Sequence, residues 1–413
     1  MTTSVGCARP ALEVAEVIRQ YGDAFREQYG STLTAAQRQA LSALATCRTA
    51  ALGGHVERCA DCGHERIAYN SCRNRHCPKC QALARARWLE REAKLLLPVP
   101  YYHVVFTLPQ EVAALALANR VVLYNALFQA ASATLRDVAA NPKRLGAQLG
   151  VLLVLHTWGQ NLHHHPHVHG VVTGGGLSCN ERGVVDADPV WRSCRPGFFL
   201  PVRVLSRVFR GKYLELVRAA FDQGQLAFPG RLRTLADAAA FAAWLRPLYA
   251  KDWVVYAKRP FGGPEQVLKY LARYTHRVAI SNSRLLKLED GRVTFRYKDY
   301  ADDHQQKSLT LDAVEFLRRF VQHVLPKGFM KIRHYGLLAS RHRRQKLTRS
   351  RQLLMVVNLA AALACAELAP PRDAAPIDPA RLPHCPHCGG QRFSRSALPP
   401  EGMVLSPTCG DTS

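Results

Sequence analysis

The chain has 413 residues, enough for two or three domains with a sizeable buried core, and 56 Lys and Arg against 31 Asp and Glu leave a formal charge of +25. A hydrophobic share of 48% is that of an ordinary folded protein. A folded, strongly basic chain implies a polyanionic partner, and nucleic acid leads because a positive surface gains affinity by displacing counterions from phosphates. A membrane partner is disfavoured: the longest apolar stretch, 353–365, is interrupted by Asn358 and too short to span a bilayer. The opening Met1-Thr2-Thr3-Ser4-Val5-Gly6 has no basic segment followed by an apolar one, so a cytoplasmic location is expected.

In chain order, Leu12, Ala15, Val17, Ile18 and Tyr21 recur at helical spacing, and Thr34-Ala35-Ala36-Gln37 reads as a capping box ahead of Leu41 and Leu44. Residues 1–54 are therefore expected to be helical. A turn-rich stretch follows at 55–80, then an alanine-rich helix over 82–97, the two making a module expected to span 55–98. From residue 101 the texture changes to β-branched runs at 102–107, 151–158, 168–173 and 253–256, with helical stretches at 120–141 and 235–246 between them. Residues 286–297 predict a hairpin turning at Asp290-Gly291. The segment 331–349 carries Lys331, Arg333, Arg341, Arg343, Arg344, Lys346 and Arg349 and no acidic residue. We expect one domain over 99–350, a helix over 351–369 and, with six prolines between Pro370 and Pro386, a linker and tail over 370–413.

Thirteen cysteines in a reducing compartment argue against a disulfide framework, the more so because seven of them fall into two local groups. Cys59-x2-Cys62 and Cys77-x2-Cys80, fourteen residues apart, have close to the spacing that sets four thiolates around one structural zinc. Arg73, Arg75 and Lys79 flank the cluster; they help hold the sulfurs as thiolates and are candidates for docking DNA. Cys72 and His76 lie among these residues and could replace a ligand, belong to a second site, or pack. Cys385-Pro386-His387-Cys388 in the tail is half of another knuckle, with His384 beside it and Cys409 as the single later cysteine.

In an extended strand alternate residues share a face, which aligns His165, His167 and His169 of His165-Pro166-His167-Val168-His169. Imidazoles two apart, about 7 Å along the strand, can converge on one divalent cation. Pro166 limits pairing and predicts that the strand begins near His167, and Gly174-Gly175-Gly176 is expected to let the chain turn sharply. Tyr270 and Tyr274, in a segment of helical texture, would share a helix face, from which a phenolic oxygen can attack a phosphodiester polarised by a metal. Without a metal site nearby, the same pair reads as an aromatic stripe packed on a core.

His-hydrophobic-His followed downstream by Tyr-x3-Tyr resembles the HUH endonuclease superfamily of rolling-circle replication initiators, relaxases and single-strand transposases. The run Tyr69-Asn70-Ser71-Cys72-Arg73-Asn74-Arg75-His76-Cys77-Pro78-Lys79-Cys80, residues 165–176, residues 270–277 and Phe295-Arg296-Tyr297-Lys298-Asp299-Tyr300 together resemble two-tyrosine rolling-circle transposases of the insertion-sequence-ninety-one group. The likeness covers about residues 15–350. It implies an α+β fold, an HUH-type antiparallel sheet flanked by helices and preceded by a helical and zinc-knuckle module. It further implies that His167 and His169 hold magnesium or manganese and that Tyr270 and Tyr274 are the nucleophiles. The superfamily's third ligand varies, and His156, on a strand able to pair with 167–173, is the first candidate here.

The activity so implied is a transposase that cleaves single-stranded DNA at an element's ends through a 5′-phosphotyrosine and joins it to target DNA, with Arg341, Arg343, Arg344 and Lys346 tracking the backbone. A plasmid replication initiator or relaxase shares this chemistry. A zinc-dependent DNA-binding regulator without nuclease activity is the reading from a different class.

Overall fold

The computed structural model describes residues 12–258, 266–267, 279–299, 302–303, 305–364 and 384–401. The entry region is helical as expected. Helix α1 (Val14–Tyr29) buries Val14, Val17, Ile18 and Phe25 along one stripe, and α2 (Ala35–Thr46) starts at the Thr34–Gln37 capping box that the sequence indicates. Strands β1 (Gly54–Cys59) and β2 (Glu65–Tyr69) form a hairpin, followed by α3 (Ala82–Ala93).

The next segment supplies β3 (Tyr101–Thr107), α4 (Gln110–Ala118), α5 (Arg120–Ala140), β4 (Ala147–Trp158), β5 (His164–Ser178), β6 (Trp191–Ser193), α6 (Val202–Asp222), α7 (Ala238–Ala250) and β7 (Val255–Ala257). Strands β8 (Leu285–Glu289), β9 (Arg292–Asp299) and β10 (Gln305–Asp312) make a separate antiparallel sheet. Asp290 and Gly291, with φ of 50° and 72°, turn the β8–β9 hairpin as the sequence predicts. After α8 (Ala313–Val321) come β11 (Ile332–Gly336), α9 (Arg343–Ala364) and β12 (Phe393–Leu398). The boundary expected at 350 falls inside α9.

The central sheet has the order β11-β4-β5-β3-β7, with β6 added on β5, and every pairing in it is antiparallel. Its two faces differ. Val104, Phe106, Leu153, Leu155, Val168 and Val172 pack with Tyr124, Leu127 and Phe128 of α5 and Phe209 and Tyr213 of α6 to form the largest core. The alternate residues of β3, β4 and β5 carry the histidines to the opposite face. At one end of that face Leu152 and Val171 are covered by Trp88, Val267, Leu338 and Leu347.

Two expectations for β5 are corrected. The strand begins at His164, three residues before His167, because Pro166 falls where the register slips: His156 faces His167, but Trp158 faces His164. The extra residue on β5 makes a bulge, a place where a missing N–H costs no ladder bond. Gly174, Gly175 and Gly176 do not turn the chain; they lie within β5. A Cβ on Gly176 would sit 2.1 Å from the Gln148 carbonyl oxygen and one on Gly174 2.8 Å from that of Pro100, so these glycines allow neighbouring backbone to approach.

A second core joins α1, α2, α8 and β9 through Val17, Ile18, Phe25, Leu44, Phe295, Phe316 and Phe320. It fastens the entry helices to the three-stranded sheet. The tail also returns: β12 pairs with β1 along Gly54↔Leu398 to Cys59↔Phe393, giving a sheet ordered β12-β1-β2.

Phe316 is fully buried, its ring 5.9 Å from that of Phe295. Phe316→Ala is expected to cost about 3–5 kcal/mol, read from urea unfolding. A loss below about 1 kcal/mol would mean that the second core does not hold the helices on.

Candidate metal centres and active site

The register of β4 on β5 sets His156 directly opposite His167, and His169 lies two residues further along the same face. One nitrogen of each imidazole lies within 4.8 Å of the other two, and His167 Nε2 and His169 Nε2 are 3.1 Å apart. A cation holding two neighbouring ligands at right angles about 2.1 Å away separates them by about 3.0 Å. The donor set therefore fits a divalent ion, with His156 completing the pair expected from sequence.

Each ring is held by its surroundings. His167 Nδ1 donates to the His165 carbonyl at 2.7 Å, which leaves the Nε2 lone pair for a ligand. His165 thus acts through its backbone. His169 Nδ1 lies 2.9 Å from Nε2 of buried His103 on β3, and the Trp158 indole stacks on His156 with centroids 4.6 Å apart. Burial pushes His167 down to about 4 and His103 down to about 3, so both rings are neutral at pH 7. His156 is buried, whereas His167 and His169 are half-buried.

Tyr270 and Tyr274 lie outside the described residues. Val267, three positions before Tyr270, is fully buried with Leu152 and Val171, on the sheet face that carries the histidines.

The cysteines are arranged otherwise than one quartet of Cys59, Cys62, Cys77 and Cys80 would require. Cys77 and Cys80 gather with Cys72 and Cys47, whereas Cys59 and Cys62 meet Cys385 and Cys388. The hairpin that carries Cys59 and Cys62 directs them toward the returning tail, away from the loop that carries Cys77 and Cys80. In the first group Cys72–Cys80 and Cys77–Cys47 sulfurs are 3.7 and 3.5 Å apart; in the second, Cys59–Cys388 and Cys62–Cys385 are each 3.6 Å apart. A disulfide needs about 2.05 Å, whereas a tetrahedron with zinc–sulfur bonds of about 2.3 Å has edges of about 3.8 Å. Both groups have metal-site dimensions. His76 is not among them: burial holds it down at about 3, and its Nε2 accepts from the Leu325 N–H at 3.4 Å.

The basic candidates separate into two kinds. Arg75 is spent inside the protein, donating to the Phe329 and Pro326 carbonyls at 2.6 and 2.8 Å, and Lys79 pairs with Glu13 at 2.6 Å. Lys346 donates to Gln148 Oε1 at 2.7 Å, and Arg343 is half-buried. Arg73, Arg341 and Arg344 are exposed.

Residues 17–108 match the family model described as "Transposase zinc-binding domain", and residues 150–346 match that described as "Putative transposase". The chain is 51% identical over 411 residues to "Putative transposase y4qJ" of Sinorhizobium fredii, covering 98% of this chain and 100% of that protein. It belongs to this transposase family. It is also 31% identical over 312 residues to the "Transposase for insertion sequence element IS801" of Pseudomonas savastanoi pv. phaseolicola, covering 73% of this chain and 70% of that one. No solved structure matches it.

The transposase match over 150–346 contains all three clustered histidines, and the zinc-binding match over 17–108 contains one whole cysteine quartet, Cys47, Cys72, Cys77 and Cys80. Sequence reasoning missed Cys47 and His103. Cys47 caps α2 with no CxxC partner, and His103 becomes relevant only because β3 pairs with β5, so neither carried a local signal.

Removing the His103 partner of His169 Nδ1 should loosen the orientation of that ring. His103→Phe is expected to weaken manganese binding by about 10- to 100-fold, and His103→Gln, which keeps a polar end, by less. Calorimetric titration checks this, and unchanged affinity in His103→Phe would remove its orienting role.

Proposed function

We propose that this transposase cleaves and rejoins single-stranded DNA through a 5′-phosphotyrosine, with Tyr270 and Tyr274 as nucleophiles and His156, His167 and His169 holding a divalent cation. The observation that carries the reading is the convergence of three imidazoles from β4 and β5 on one face of the sheet. Bound there, the cation would polarise a phosphoryl oxygen and lower the cost of charge building on it.

The chain's own residues supply the rest. The hydroxyl of one tyrosine attacks phosphorus; the bond from phosphorus to the 3′-oxygen breaks, the departing 3′-oxygen takes a proton, and the 5′-phosphate stays on the tyrosine. Attack by a target strand's 3′-hydroxyl reverses the step, restores the tyrosine and joins the strands with no external energy source. A second tyrosine four residues away allows two strand ends to be held together. Exposed Arg73, Arg341 and Arg344 are the candidates for the DNA backbone, whereas Arg75 and Lys79 fasten the cysteine-bearing loop to the body of the protein.

The relative from Pseudomonas savastanoi is a transposase for an insertion sequence element. By that likeness the DNA here is an element's end and its target, and the rolling-circle route is the one these tyrosines would serve. Cys47, Cys72, Cys77 and Cys80 would hold a structural zinc. Among the described residues no helix is long and apolar enough to cross a membrane, in keeping with a cytoplasmic site of action.

Three nitrogen donors suit manganese better than magnesium, which prefers oxygen and dehydrates reluctantly. Incubation with labelled single-stranded DNA should give an SDS-resistant adduct at manganese concentrations at least about tenfold below the magnesium needed. The double variant Tyr270→Phe, Tyr274→Phe should give none. An adduct from the double variant would overturn the nucleophile assignment, and no adduct with either metal would favour a DNA-binding regulator.

A further inference from the structure

We propose that Cys59, Cys62, Cys385 and Cys388 bind a second structural zinc that clamps the C-terminal tail onto the N-terminal module. Neither family match reaches Cys385 or Cys388.

The two halves of the site are the same turn built twice. Cys59-Ala60-Asp61-Cys62-Gly63 and Cys385-Pro386-His387-Cys388-Gly389 each close with the glycine N–H donating to the carbonyl of the first cysteine, at 2.9 and 2.8 Å. Gly63 and Gly389 have φ of 71° and 76°, a conformation that favours glycine after a zinc knuckle's second cysteine. The N–H of each first cysteine is also satisfied, Cys59 donating to His64 at 2.9 Å and Cys385 to Gly390 at 2.7 Å. In addition the Gly390 N–H points to Cys388 Sγ at 3.4 Å, a contact that stabilises a thiolate. The pairs face each other so that each sulfur of one lies 3.6 Å from a sulfur of the other.

What surrounds this site makes a metal necessary. The sheet β12-β1-β2 has almost no apolar side: β2 buries no residue fully, β12 none, and Ile67 is 55% exposed. Its other cross-links are polar: Arg392 with Asp61, and Arg66 and Arg395 with Glu57 at 2.5 and 2.7 Å. A small three-stranded sheet without a hydrophobic face needs a staple. Zinc held by four thiolates couples its binding free energy to the folding of such a unit. With four protein sulfurs no position is left for water or substrate, so the site is structural. Its ligands come from segments 323 residues apart, Cys62 and Cys385, so it forms only when both ends of the chain are present.

Cadmium-113 NMR of the full chain reconstituted with cadmium counts four-thiolate sites without interference from the histidines. The wild type should give two resonances in the four-thiolate range. The double variant Cys385→Ser, Cys388→Ser should lose one and keep the other, and amide exchange in β1 should rise at least tenfold while α5, β4 and β5 stay protected. A single four-thiolate resonance in the wild type, or two persisting in the variant, would overturn the proposal. Either result leaves the DNA-cleavage reading untouched, because adduct formation does not depend on this count.

Discussion

His156 on β4 and His167 on β5 face each other because the two strands pair antiparallel in one register, and the candidate active site depends on that pairing. Slipping β4 by one residue would move every side chain of one strand to the other face and bury the imidazole among α5 and α6. The register is enforced from behind. Leu153, Leu155, Val168 and Val172 are packed against α5 and α6, and a one-residue slip would turn those of the slipped strand away from that core. The bulge at Pro166 then ends the regular ladder immediately beside the site, at the place where His165 turns its carbonyl toward His167 Nδ1. One irregularity thus accommodates the proline and fixes which nitrogen of His167 faces a ligand.

Around this sheet the protein is assembled by connections between distant parts of the chain. Helices α1 and α2 complete the core of α8 and β9, and Arg75 reaches from the cysteine-rich loop to the carbonyls of Pro326 and Phe329. The tail crosses back to β1. In a chain of net charge +25, burying two of the basic side chains nearest the cysteines as internal links confines the positive surface to fewer places, with Arg73, Arg341 and Arg344 among them.

Much of this was legible in the sequence, where local chemistry decides structure. The alternation of His167 and His169, the Thr34–Gln37 cap, the Asp290-Gly291 turn and the apolar strands all reappear as expected, because period and turn chemistry act over a few residues. The nearness of His156 to His167 and His169 followed from asking which strand could pair with β5. The grouping of the cysteines was not legible. Two CxxC pairs fourteen residues apart match a single knuckle pair by spacing, and nothing local reveals that each pair has its partners elsewhere, in Cys47 and Cys72 for one and in the tail for the other. The glycine run misled for a related reason. Glycine permits both a turn and a close backbone approach, and the nearness of Gln148 and Pro100 that decides between them is a tertiary fact.

The central claim is that three imidazoles from two paired strands hold one catalytic cation. Pulsed electron paramagnetic resonance on the manganese-loaded protein, with its histidines labelled with nitrogen-15, tests it most directly. The account predicts hyperfine coupling to three imidazole nitrogens, with one coupling lost in His156→Ala and the others retained. A spectrum showing manganese surrounded by water and oxygen alone, or coupling unchanged in His156→Ala, would contradict it.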